Sequence, residues 1–202
     1  MITVTRPTFV VTEPADDAEH ETEVVPGEEV VVVEEQGEWA RVLVPSHATS
    51  KDERGYPGWL RADAVGEGTE RIIVTAVGVE ALLAKARTFL GVPYVWGGTT
   101  DAGIDCSGLV LRAAEAIGVR VPRDARDQAV ALEKVGLDEV RAGDLYFFAN
   151  PDGRVTHVAI AAAPPEPDGA RPMIHADGVK GLVVEEPMPA DRAAARVSAA
   201  RL

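Results

Sequence analysis

Gly103-Ile104-Asp105-Cys106-Ser107-Gly108-Leu109-Val110-Leu111-Arg112-Ala113-Ala114-Glu115-Ala116-Ile117-Gly118 decides how the larger part of this chain is read. Leu109, Val110, Ala113, Ala114 and Ile117 recur at helical spacing and Gly118 supplies a C-terminal stop, which predicts a helix over 106–117. Val79, Leu82, Leu83, Ala86, Phe89 and Leu90 mark an earlier helix over 79–90, and a shorter helical stretch follows around 124–134. Beyond them the period changes to that of strands, at 145–149, 155–162, 173–176 and 182–185. Pro164-Pro165-Glu166-Pro167-Asp168-Gly169 is unfit for a strand interior and reads as an exposed hairpin loop. Helices followed by consecutive strands indicate an α+β domain with an antiparallel sheet. The Ala/Arg-rich stretch 190–202 reads as a short helix or a frayed tail.

Upstream, the character is different. Val30 to Val33 and Trp39 to Val44 are β-branched runs with Gly37 between them, and Pro26-Gly27 and Tyr56-Pro57-Gly58-Trp59 mark further turns. About 65 residues of short strands and turns suit a small β-barrel. Residues 1–70 hold 5 basic and 16 acidic side chains, against 15 and 17 in the remainder, so the charge steps near residue 70. Gly66-Glu67-Gly68-Thr69-Glu70 has a linker's composition. The expected organisation is a small β-barrel over 1–68, a linker over 69–78 and an α+β domain over 79–202.

The 202 residues are 46% hydrophobic and carry a net charge of −13, enough for a real core. That balance argues against nucleic-acid or anionic-membrane partners, which need a basic face. No apolar run reaches the roughly 20 residues of a membrane span, and Met1-Ile2-Thr3-Val4-Thr5-Arg6-Pro7 lacks the features of a signal peptide. A cytoplasmic location is the expectation.

A single cysteine excludes an intramolecular disulfide and a Cys-rich zinc site. Cys106 opens a helix, where unpaired N–H groups and the helix dipole favour a thiolate. A lone cysteine is more often a small buried apolar residue, but Gly97-Gly98, Gly103, Asp105 and Ser107 form a setting that a core cysteine does not need. His157 and His175 fall on successive predicted strands, where cross-strand pairing brings two imidazoles together. Taken singly, each would be read as a satisfied core histidine. With Cys106 they form the nucleophile, base and orienter set of thiol hydrolases. The competing metal reading lacks a fourth ligand and close spacing, so no metal and no cofactor is expected. His20 and His47 read as solvated surface residues.

Several separated motifs are familiar together. Gly91-Val92-Pro93-Tyr94-Val95-Trp96-Gly97-Gly98, Asp105-Cys106-Ser107-Gly108-Leu109-Val110, and Pro122-Arg123-Asp124 with Gln128 resemble the NlpC family of bacterial cell-wall cysteine peptidases. Arg141-Ala142-Gly143-Asp144-Leu145-Tyr146-Phe147-Phe148, Thr156-His157-Val158-Ala159-Ile160 and Ile174-His175-Ala176 continue the match in order, over about residues 78–188. The resemblance implies a papain-like α+β fold and hydrolysis of peptides containing D-amino acids. It makes Cys106 the nucleophile, His157 its base and His175 the polar third member. Tyr94 becomes an oxyanion or positioning donor, with a tyrosine packed under the loop as the alternative. Trp96 either walls the pocket or packs in the core, and Arg123 anchors a loop.

Glu21 to Glu28, Trp39-Ala40-Arg41-Val42 and Tyr56-Pro57-Gly58-Trp59-Leu60 resemble a bacterial SH3-like (SH3b) domain. The pairing is similar to γ-D-glutamyl-L-diamino acid endopeptidases that recycle wall peptides. It implies a small murein peptide as substrate, with the SH3b domain closing one end of the groove. Asp105 and Ser107 on one side, and Glu21 and Tyr56 on the other, are then the candidates for receiving its free amine. Two other readings stay open: amidase or acyltransferase chemistry on the same fold, and a non-catalytic peptide binder.

Overall fold

Two antiparallel sheets, one on either side of residue 70, carry the chain in the computed structural model, which describes residues 1–202. The first part holds seven short strands: β1 (Ile2–Val4), β2 (Thr8–Val11), β3 (His20–Val24), β4 (Val31–Gln36), β5 (Trp39–Val44), β6 (Tyr56–Arg61) and β7 (Val65–Glu67). Five of them form one sheet in the order β3-β2-β6-β5-β4, and β1 pairs with β7. β4 and β5 are joined by the two-residue turn Gly37-Glu38, where Gly37 takes the positive φ of 60° that such a hairpin demands. Val10, Val24, Val42, Val44, Tyr56 and Leu60 meet in a small core.

This sheet does not close into the expected barrel. β3 and β4 stand at opposite edges and do not pair with each other. The outer edge of β3 is used by the second part of the chain: the Glu23 N–H donates to the Gly97 carbonyl at 2.7 Å, and the Glu23 carboxylate accepts from the Thr99 N–H at 2.9 Å. An edge strand satisfied from outside has no need to close on its own sheet. Residues 68–77 have neither helix nor strand, yet they are pinned to both parts. The Arg71 N–H donates to Gly27 and the Ala76 N–H to Ala116.

The second part opens with α1 (Val79–Arg87) and a short hairpin, β8 (Thr99–Thr100) and β9 (Gly103–Ile104). Then come α2 (Cys106–Glu115), α3 (Ala125–Ala131), β10 (Glu133–Val135), β11 (Leu145–Ala149), β12 (Val155–Ala161), β13 (Pro172–Asp177), β14 (Leu182–Pro187), α4 (Ala190–Ala195) and β15 (Arg196–Arg201). Six of these strands form an antiparallel sheet in the order β10-β15-β11-β12-β13-β14. The apolar stripe of α2, with Leu109, Val110 and Ala113, packs on Leu145, Phe147, Val158 and Ile160 of the sheet. On the opposite face Tyr146, Phe148, Ala159, Met173 and Ala199 form a second core. Two covered faces explain why β11 is apolar at consecutive positions rather than alternating.

The expected strands fall within a residue or two of their places, and the Pro-rich loop joins β12 to β13. Two differences matter. The helix expected around 124–134 stops at Ala131, because Glu133 to Val135 pair with Arg201 to Ala199. The Ala/Arg-rich end is not a frayed tail: after α4 it becomes β15, paired on both sides, with Ala199 and Ala200 buried. Ala and Arg favour helix locally; ladder hydrogen bonds and burial between two strands outweigh that preference here.

Candidate active site

Cys106 is the first residue of α2, and the sequence around it is built to hold that helix start still. Asp105 is the N-cap, its Oδ1 accepting from the Gly108 N–H at 2.6 Å while Oδ2 accepts from the Gly97 N–H at 2.9 Å. Gly98 and Gly108 are required by proximity: a Cβ on Gly98 would lie 2.5 Å from the Gly103 oxygen, and one on Gly108 would lie 2.3 Å from the Gly98 oxygen. Behind them sits Arg123, only 1% exposed. It donates to both Asp105 oxygens at 3.0 and 2.7 Å, to Ser107 Oγ at 2.9 Å, and to Thr22 Oγ1 at 2.8 Å.

Burial pushes the Cys106 thiol up to about 12, and the nearby Asp105 adds to this. N–H groups of Val158 and Ser107 and the Arg123 charge pull the other way without winning. The helix start alone favoured a thiolate; in the folded chain desolvation overrides it. Val158, one residue along β12 from His157, packs in the same core as Cys106.

His157 and His175 do meet, though not directly across a pair. The β12–β13 ladder pairs Ile160 with Ile174, and continuing that register would set His157 opposite Asp177, so the two imidazoles meet on a diagonal. His157 Nε2 lies 3.0 Å from His175 Nδ1, and His175 Nε2 lies 3.2 Å from Glu186 Oε1. A carboxylate only accepts, so the tautomers follow. His175 keeps its proton on Nε2 and accepts at Nδ1; His157 donates from Nε2 and is left with an unprotonated Nδ1. Burial lowers His157 to about 3, helped by Arg192 and His175, and burial likewise lowers His175. Burial raises Glu186, but its bonds to Lys180 and His175 hold it below the usual carboxylate range. Neutral imidazoles beside an ionised Glu186 are a base and its orienter.

His175, Asp177 and Glu186 have their potential metal-ligating atoms within 4.8 Å of one another. Both carboxylates already face cations, Asp177 with Arg192 and Glu186 with Lys180, and Cys106 is not in the group.

The cleft over Cys106 encloses about 550 Å³ and is lined from both parts of the chain. Tyr94, Trp96, Asp105 and Ser107 line it beside Cys106, with Trp96 58% exposed as a wall rather than buried in the core. Glu21 and Tyr56 face them from β3 and β6. The Tyr56 hydroxyl donates to Glu21 at 2.8 Å and lies 3.2 Å from Asp124 Oδ2, while Lys51 donates to Tyr56 at 2.8 Å and pairs with Glu21. Burial raises Asp124, against the pull of Arg123 and Lys51.

Sequence reasoning missed Glu186, Asp124 and Lys51 as members of this site. Asp124 was within reach, since it completes the quoted Pro122-Arg123-Asp124. His47 needs correction: it is 1% exposed, not solvated, because Thr22 Oγ1 lies 2.9 Å from its Nδ1 and Glu28 lies 3.6 Å from its Nε2. His20 is exposed and stacks on Phe9.

The NlpC/P60 family model matches residues 91–198, more than half of the chain. The chain belongs to the NlpC/P60 family. Among NlpC/P60 relatives, the gamma-D-glutamyl-L-lysine dipeptidyl-peptidase of Bacillus subtilis (strain 168) is 32% identical, the match covering 69% of this chain and 68% of that protein. The protein of the same name from Bacillus cereus is 26% identical, over 69% of this chain and 64% of that one. The crystal structure of an NlpC/P60 family protein from Bacillus cereus superposes with a TM-score of 0.88 at 20% identity, covering 100% of this chain and 99% of the other. At that identity the likeness shows a shared fold.

Proposed function

We propose that this chain is a cysteine peptidase that hydrolyses the γ-D-glutamyl–L-diamino acid bond of small murein peptides bearing a free N-terminal L-Ala. One observation carries the reading: Cys106 opens α2 in a cleft that the Glu21–Tyr56–Asp124 cluster also lines, and His157, whose neighbour Thr156 lines that cleft and whose neighbour Val158 shares the core of Cys106, heads a neutral His157–His175–Glu186 chain. The names of the two Bacillus relatives support it.

Cys106 attacks the carbonyl carbon of the scissile amide while His157 Nδ1 takes the thiol proton, so charge separates only as the C–S bond forms. Collapse of the tetrahedral intermediate breaks the C–N bond, and His157 returns the proton to the leaving amine. Water, deprotonated by His157, then hydrolyses the thioester and restores the thiol. Cys106 shares no hydrogen bond with His157; substrate binding brings the two into line, as is common for thiol–imidazole pairs. Tyr94 is assigned to positioning the carbonyl oxygen.

Arg123 already occupies Asp105 and Ser107, so the substrate ammonium falls mainly to Glu21, Tyr56 and Asp124. Lys51 holds Glu21 and Tyr56 and gives way to the ammonium. Residues 1–68 act as an SH3b-like domain that closes this end of the groove, with 69–78 as linker and 79–202 as the peptidase domain. Their acidity suits a small cationic amine and repels anionic polymers, which supports a cytoplasmic role in recycling wall fragments.

The test is mass spectrometry of products from L-Ala-γ-D-Glu-L-Lys and from its N-acetylated form. Wild type is expected to release L-Ala-γ-D-Glu from the free peptide alone, and folded Cys106→Ala to release nothing. Turnover by Cys106→Ala would remove the thiol mechanism; equal turnover of both peptides would remove the amine gate.

A further inference from the structure

The cleft holds more cations than the amine reading uses. Arg123 is committed to Asp105 and Ser107, and Lys51 to Glu21 and Tyr56. Lys51 stays at the amine end even when the substrate ammonium displaces it, which leaves two cations elsewhere in the lining: Arg126, at the start of α3, and Arg154, in the turn between β11 and β12. The guanidinium of Arg154 makes no hydrogen bond or ion pair; this residue is held only through its backbone, its N–H donating to Asn150 Oδ1 at 2.9 Å. Arg126 reaches Ser50 Oγ at 3.4 Å and Asp127 at 3.8 Å, both long, and its side chain is 56% exposed. The two arginines line the same cleft as Cys106, from elements other than those that carry the Glu21–Tyr56 pair.

We propose that Arg126 and Arg154 form a carboxylate-binding wall of this cleft, which selects γ-linked glutamyl peptides by a carboxylate that α-linked peptides lack. The proposal rests on the γ-D-glutamyl reading and adds a second recognition element to it. In a γ-linked glutamate the α-carboxylate stays free, on a carbon only two methylenes from the reacting carbonyl. In an ordinary α-linked peptide that carboxyl is consumed in the chain. A cleft with an acidic end for the ammonium and a guanidinium wall for the carboxylate matches such a zwitterion, and guanidinium forks suit carboxylates. The C-terminal carboxylate of a tripeptide offers the same chemistry, so the experiment must separate the two.

Three peptides do so: L-Ala-γ-D-Glu-L-Lys, the same peptide with D-isoglutamine in place of D-Glu, and the same peptide with a C-terminal amide. kcat/KM is measured for wild type, Arg126→Gln, Arg154→Gln and the double variant of the full chain, with folding checked by circular dichroism. Wild type is expected to prefer the free D-Glu peptide over the isoglutamine peptide by about tenfold. The double variant should lose that preference, mainly through KM. A preference that collapses only against the C-terminal amide assigns the wall to the leaving residue and overturns the selection of γ-linkage. The same preferences in wild type and double variant overturn the wall altogether. Failure of wild type to cleave the unmodified tripeptide would instead overturn the γ-D-glutamyl reading, and the wall with it.

Discussion

A buried imidazole can act as a base only if something decides which of its nitrogens is bare. Here the decision starts at Glu186, which accepts a hydrogen bond from His175 Nε2–H and thereby leaves His157 Nδ1 open to the thiol. Glu186 touches neither sulfur nor substrate, so it is a positioning residue. Glu186→Ala is expected to lower kcat about tenfold with KM little changed, since the tautomer is released while the cleft stays intact. Glu186→Gln, whose amide oxygen still accepts, should recover much of this. Steady-state kinetics of the three forms checks it, and a rise in KM alone would remove the role. Cys106, His157 and His175 were legible because each residue type is rare in this chain and sits at the edge of a clear periodic segment. Glu186 was not. It stands opposite Met173 in β14, and its approach to His175 exists only once β13 and β14 are in register. No spacing along the chain encodes that.

At the scale of elements, the start of α2 depends on one buried arginine. Arg123 answers the Asp105 charge, which otherwise sits 6% exposed with no other cation bonded to it. Arg123→Ala is expected to cost about 3–5 kcal/mol, because it strands a buried carboxylate and a helix cap together. Urea unfolding measures this; a loss under 1 kcal/mol would show that Asp105 relaxes to water. The two main helices and strands β11 to β14 could be read in advance, since their apolar periods and turn residues agree with their burial. β10 and β15 could not, because their side chains are mostly charged or alanine, and they are strands only by virtue of each other and β11. The open first sheet was hidden for a related reason: the partner that satisfies the β3 edge lies more than seventy residues downstream.

Across the whole molecule, a buried polar chain links the two parts: Arg112 to Glu28, Glu28 to His47, His47 to Thr22, Thr22 to Arg123, and Arg123 to Asp105. It makes the helix that carries Cys106 dependent on residues of the first sheet. It also carries a pH signature. His47, His157 and His175 are all lowered by burial, so unfolding takes up protons below their ordinary pKa near 6.5. Their neutral forms stabilise the fold above that pH, and stability falls as the pH drops from it. For His157, lowered to about 3, the drop from pH 6.5 to 5 alone amounts to about 2 kcal/mol. Glu28, lowered to about 2 in spite of its burial, with Arg112 and the Val25 N–H holding its charge, contributes its share above pH 4.5 and loses it progressively as the pH falls from there toward 2. A melting temperature that declines already between pH 7 and 5 is expected, and a flat profile there would contradict the buried neutral histidines. The position of β15, between β10 and β11, bears on synthesis as well. The first sheet can form while the ribosome is still translating, but the edge of β11, with Phe147 and Phe148 beside it, stays bare until residue 201 has left the exit tunnel. Nascent chains stalled before that point should hold a folded first part and a sticky, chaperone-dependent second one.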